Sequence, residues 1–113
     1  MREYFIYAEV NYGLSCGSDR WVSFEKKIAT NHALVVGMQF LIPGIWVSEI
    51  AGVQYDYASD EMGVYLKIRE CDGDRADFDK LVRMFAALGW RIFEGQWDDE
   101  YLRAADEAES NAT

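Results

Sequence analysis

Residues 3 to 10 read EYFIYAEV, and this alternation constrains the fold more than any other stretch. Tyr4, Ile6, Ala8 and Val10 fall on one face; Phe5 and Tyr7 fall on the other with Glu3 and Glu9. A period of two with this aromatic content predicts a β-strand that buries one face. A strand leaves its backbone donors and acceptors to be paired by neighbours, so the chain must build a sheet. Half of the 113 residues are apolar, enough to cover such a sheet with a core.

Residues 11 to 20 (NYGLSCGSDR) read as a loop, with Gly13 and Gly17 among polar turn formers. From 21 to 42 two readings compete. Phe24, Ile28, Asn31, Val35, Met38 and Ile42 recur at three- and four-residue spacing, which predicts a helix between 26 and 42. The competitor is a strand over Trp21 to Lys26, followed by a shorter helix capped by Thr30 or Asn31. Pro43 and Gly44 stop either one. Residues 45 to 58 and 63 to 70 predict an antiparallel pair around a turn at Ser59, Asp60 and Glu61, with Val64, Leu66 and Ile68 inward. Phe78, Leu81, Val82, Phe85 and Leu88 define an amphipathic helix. Asp74 or Asp77 serves its N-terminus and Gly89 its end. Trp90 to Phe93 predicts a last strand, and Asp98, Asp99 and Glu100 open an acidic helix with Tyr101, Leu102 and Ala105 on one face.

The resulting order is the split βαβ pattern of ferredoxin-like folds. The expected class is α+β: a four-stranded antiparallel sheet with two helices on one face, plus an acidic C-terminal helix. Residues 1–97 would form the α+β domain and 98–113 the acidic helix and a frayed tail. Arg2 and Glu3 flank too short an apolar run for a signal peptide, and Pro43–Gly44 interrupt the uncharged stretch from Asn31 to Ser48, so no membrane span is expected. A cytoplasmic setting with reduced Cys16 and Cys71 follows.

Chemistry-bearing patterns are sparse. Cys16 in a glycine-flanked loop and His32 are the one candidate thiol–imidazole pair, without a surrounding signature. Asp72, Asp74, Asp77 and Asp79 resemble a cation loop in composition, but Gly73 and Ala76 break the EF-hand spacing. The helix dipole explains acids at that place equally well. Zinc spacing, phosphate loops and the RNA-stacking strand motif are all missing. No cofactor or metal is expected.

Charge is the stronger clue. The net charge is −9. Residues 1 to 55 hold five acids against four bases; residues 56 to 113 hold fifteen against seven. Such a field repels nucleic acid and anionic membranes and attracts basic surfaces, although solubility alone can account for acidity. The expectation is a non-enzymatic binding protein that occupies the basic, nucleic-acid-binding surface of a partner. By analogy of size and charge, phage-encoded (anti-CRISPR-like) inhibitors of defence complexes and nuclease-immunity proteins have this character. Asp72, Asp74, Asp77, Asp79, Asp98, Asp99 and Glu100, with Trp97 and Tyr101, are the expected contact residues. The alternatives are a homo-oligomeric regulatory or small-ligand-binding domain, possible as a homodimer, and a thiol enzyme using Cys16 and His32.

Overall fold

A computed structural model describes residues 1–14 and 19–95. Seven strands and one helix follow in the order β1 (Arg2–Leu14), β2 (Asp19–Thr30), β3 (Gln39–Ile42), β4 (Trp46–Asp56), β5 (Glu61–Leu66), β6 (Arg69–Gly73), α1 (Arg75–Ala87) and β7 (Arg91–Gly95). The strands form one mixed sheet, ordered β3-β4-β5-β1-β2-β7, with β6 continuing the β5 position beside β1.

The ferredoxin-like α+β expectation is overturned: the described residues are mostly β, with seven strands in one mixed sheet and a single short helix. The difference lies in residues 26 to 42, where the end of β2, a loop over 31–38 and β3 replace the expected helix. The Trp21–Lys26 competitor strand runs on to Thr30 and pairs with β1 along its whole length, from Arg2↔Thr30 to Gly13↔Asp19. Residues 39–42 then make a hairpin with β4. The three- and four-residue spacing was coincidental: Phe24 and Ile42 are buried, yet Asn31 and Val35 between them are exposed.

The antiparallel β4–β5 pair forms, from Ile50↔Leu66 to Asp56↔Glu61, with a bulge between Ile50 and Gly52. Its continuation differs from expectation. The strand breaks at Lys67 and Ile68, Ile68 turns outward, and β6 resumes parallel to β1 from Val10↔Arg69.

The alternation in β1 divides the sheet's two faces. Tyr4, Ile6, Ala8, Val10 and Tyr12 are all buried, and with Val22, Phe24, Ile50, Val64 and Leu66 they line the face that α1 covers. The helix contributes Phe78, Leu81, Val82 and Phe85. Phe85 sits at the centre. It stacks on Phe24 with centroids 4.1 Å apart and planes 3° from parallel, and meets Trp46 and Trp90 edge-on.

Both ends of α1 are satisfied. Asp74 is the N-cap: its Oδ1 accepts from the Asp77 backbone N–H at 2.9 Å, and Asp77 Oδ2 accepts from the Asp74 N–H at 3.0 Å. Gly73 makes room for this box, because a Cβ there would lie 2.6 Å from Asp77 Oδ2. At the other end Lys26, reaching from β2, donates to the Leu88 carbonyl, a cation where the helix dipole favours one. Gly89 follows at φ +87°, the left-handed stop that closes helices.

Candidate functional site

The helix covers one face of the sheet; among the described residues no element covers the other. By the alternation of β1, that second face carries Phe5, Tyr7 and Glu9. Residues opposite one another in a ladder share a face, so Tyr65 of β5 and Glu25 of β2 join Tyr7, and Ser23 joins Glu9. β7 adds Arg91 beside Glu25, and a register shift between Ser23 and Phe24 brings Phe93 to the same surface.

These side chains form a layered site. Glu25 is its floor, only 5% exposed. The Glu25 carboxylate accepts from Arg91 Nε at 2.8 Å and also from the Arg91 terminal nitrogen, while the Arg91 side chain itself stays largely in solvent. A buried carboxylate needs such a partner, because an unpaired charge at this depth carries a large desolvation cost. Above Glu25 lies Tyr7. Burial first, then its hydrogen bond to Glu25 and the carboxylate's charge, push the Tyr7 phenol up to about 12. The phenol therefore stays protonated and donates at any physiological pH.

Tyr7 in turn organises the exposed rings. It stacks on Tyr65 at 5.1 Å between centroids, 18° from parallel, and meets Phe93 at 5.2 Å with planes tilted by 56°. Tyr65 and Phe93 are 42% and 49% exposed. Two clefts flank this stack. One, of about 650 Å³, is lined by Glu9, Ser23, Lys67, Ile68, Phe93 and Glu94 together with Tyr7 and Tyr65. The other, of about 520 Å³, is lined by Phe5, Gln54, Tyr55, Asp56, Tyr57 and Glu61 beside the same two tyrosines. The acids on these walls are Glu9, Glu94, Asp56 and Glu61; the base is Lys67, already paired with Glu49. Chemically the surface offers π-faces between carboxylates, an environment that attracts guanidinium and ammonium groups.

The residues expected from the sequence fall elsewhere. Asp72 ends β6, exposed; Asp74 and Asp77 are engaged in the capping box; Asp79 lies further along α1. The backbone N–H of Asp77, above all, holds the Asp74 carboxyl below the usual carboxylate range. α1 packs on the face opposite Tyr7, so these four do not join the aromatic stack. Trp97, Asp98, Asp99, Glu100 and Tyr101 lie outside the described residues, as do Cys16 and the whole segment 98–113 expected to form an acidic helix. His32 is exposed just past β2, its backbone N–H donating to Thr30 Oγ1. Among the described residues no group of three His, Cys, Asp or Glu side chains is placed to hold a metal ion, and no helix is long and apolar enough to cross a membrane.

The sequence carries one signal for the site. Phe5 and Tyr7 alternate onto the acidic face of β1, and Tyr65 onto the outward face of β5. Aromatic rings on a polar face are unexplained by the core. The burial of Glu25 left no comparable trace. Comparison with protein-family models, with curated proteins and with solved structures finds no match to this chain.

Proposed function

We propose that the chain is a non-enzymatic binding protein that takes a basic polypeptide surface, and that the open sheet face, rather than the helix acids, makes the contact. The observation that carries this reading is the exposed Tyr7–Tyr65–Phe93 cluster set among Glu9, Glu94, Asp56 and Glu61. Tyrosine and phenylalanine give contact area at little entropic cost, and arginine is the residue that best uses both a π-face and a carboxylate. A nuclease or another nucleic-acid-binding protein in the cytoplasm presents such arginines where it normally meets phosphates. Carboxylates on this face would take the phosphates' place, and the net charge of −9 would speed encounter.

The test is a titration with a fluorescent arginine-rich peptide, read by anisotropy at low and high salt. Tyr65→Ala and Phe93→Ala should each weaken binding about fivefold, the loss of a cation–π contact of about 1 kcal/mol. Asp72→Asn with Asp79→Asn should weaken it less. If the ring variants bind like the parent while the aspartate variant does not, the contact lies on the helix side and the reading fails. The 650 Å³ cleft is also of a size for a small ligand, which is the second reading. A cleft-filling Ser23→Leu would block a small molecule and leave a peptide that spans both clefts largely unaffected.

A further inference from the structure

The outer edge of the sheet at β3 is open. β3 pairs with β4 in the register Gln39↔Glu49 to Ile42↔Trp46, and among the described residues nothing pairs with its other side. Ile50 N–H donates to the Met38 carbonyl at 2.9 Å, and Ile45 N–H to the Ile42 carbonyl at 3.0 Å. Antiparallel strands alternate their backbone groups, so those of Met38, Phe40 and Ile42 face β4 and those of Gln39 and Leu41 face outward.

Three features set this edge apart. Leu41 and its cross-strand neighbour Val47 are 64% and 48% exposed, with exposed Val35 and Val36 close in sequence. From Ile28 to Ser48 there is no charged residue, on a chain of net charge −9. Apart from its shortness, four residues, the edge lacks the usual protections: β3 contains no lysine, no proline and no bulge. Two copies meeting elsewhere would bring carboxylates together; here the edge strand carries none and the adjacent Glu49 is paired with Lys67, so only the long-range repulsion between the two net charges opposes contact.

We infer that two copies of this chain associate through antiparallel pairing of their β3 edges. With Gln39 opposite Leu41 of the second copy, each pair exchanges both backbone hydrogen bonds, and all four outward groups on each strand are satisfied. A shift by two residues would set either Pro43, which has no N–H, opposite Gln39, or Gly37, whose N–H already donates to the Ile50 carbonyl, opposite Leu41. In the favoured register the two-fold axis stands normal to the sheet beside Phe40. Opposite residues then share a face, so each Leu41 stands beside Gln39 of the other copy and diagonally from its Leu41, with Val47 behind it, and the two open faces lie on the same side.

Sedimentation velocity of the full chain from about 1 to 500 µM tests this directly. The expected species is a dimer that persists or tightens between 50 and 500 mM salt, because screening removes repulsion and apolar contact is unaffected. Leu41→Lys and Leu41→Pro should each weaken association at least tenfold. Leu41 is solvent-exposed, so circular dichroism should show the Lys variant folded. In a mixture of Gln39→Cys and Leu41→Cys chains, mild oxidation should give the mixed disulfide faster than either self-pair. A chain monomeric at 500 µM overturns the inference. So does a dimer indifferent to Leu41→Lys, one that salt dissociates, or a mixed disulfide no faster than the self-pairs.

Discussion

Removing the Arg91 side chain isolates what the floor of the aromatic site contributes. In Arg91→Ala the Glu25 carboxylate, 5% exposed in the parent, loses both donors from Arg91 and is left with Tyr7. Fully buried pairs lose about 3–5 kcal/mol when one partner is cut away, and exposed pairs about 0–1. This pair is mixed: its acid is buried and the arginine side chain is 72% exposed. The structure therefore places the cost at about 2 kcal/mol. For a domain of this size that lowers Tm by roughly 8 °C. Urea unfolding of the parent, Arg91→Ala, Glu25→Gln and the double variant closes a thermodynamic cycle. Glu25→Gln should recover about 1 kcal/mol when added to Arg91→Ala, because an amide does not strand a charge beneath Tyr7. A cost below about 0.5 kcal/mol for Arg91→Ala, or a double variant no more stable than the single, would refute the view that Glu25 is a buried ion held by Arg91.

Other outcomes follow from the same geometry. Phe85→Ala should cost about 4 kcal/mol by urea unfolding, since it empties the centre of a core where Phe24, Trp46 and Trp90 all meet that ring. Tyr7 has a folded pKa raised from 10.0 to about 12, so the fold favours the neutral phenol; its stabilisation is complete below pH 10 and is lost as pH rises from 10 to 12. Tyr7→Phe should flatten that alkaline slope in a pH series of Tm values. Asp74 behaves oppositely. Its depressed carboxyl stabilises the fold above the ordinary carboxylate pKa, and this is lost as pH falls through the folded value. Asp74→Ala should therefore lower Tm at neutral pH and lose less on acidification than the parent. Gly73→Ala should also destabilise, and a crystal structure should show Asp77 displaced from the cap.

The legible parts of the fold were those whose signal is local. The faces of β1, the β4–β5 pairing and the ends of α1 each rest on an alternation, a turn or a cap that neighbouring residues define. The segment from 26 to 42 was not of that kind. Its apolar residues satisfied a helical spacing by chance, and strand Trp21–Thr30 is held by Tyr4, Ile6 and Ala8 across a ladder, not by its own pattern. Replacing one expected helix by a hairpin changed the whole topology, because the first crossover of a split βαβ unit disappeared with it. The candidate site was illegible for a related reason. Glu25 and Arg91 are adjacent only because β7 pairs with β2, and nothing in either strand's sequence announces that partnership. The acids that stood out in the sequence are bunched in the chain; those around Tyr7 are gathered from β1, β2, β4, β5 and β7.

The central position of β1 also has a consequence in time. Its left-hand partners are β5 and β6, so Tyr4 must wait for Met62 and Val10 for Arg69. During synthesis the β1–β2 pair emerges before its later partners, with both outer edges still unpaired and a largely apolar face bare. At about 5–20 residues per second, the missing strands leave the ribosome roughly 2–8 s later. In that interval the hairpin offers another nascent copy the same pairing that β5 will later occupy. A cell making this protein quickly therefore has to shield its first thirty residues until the seventieth has appeared.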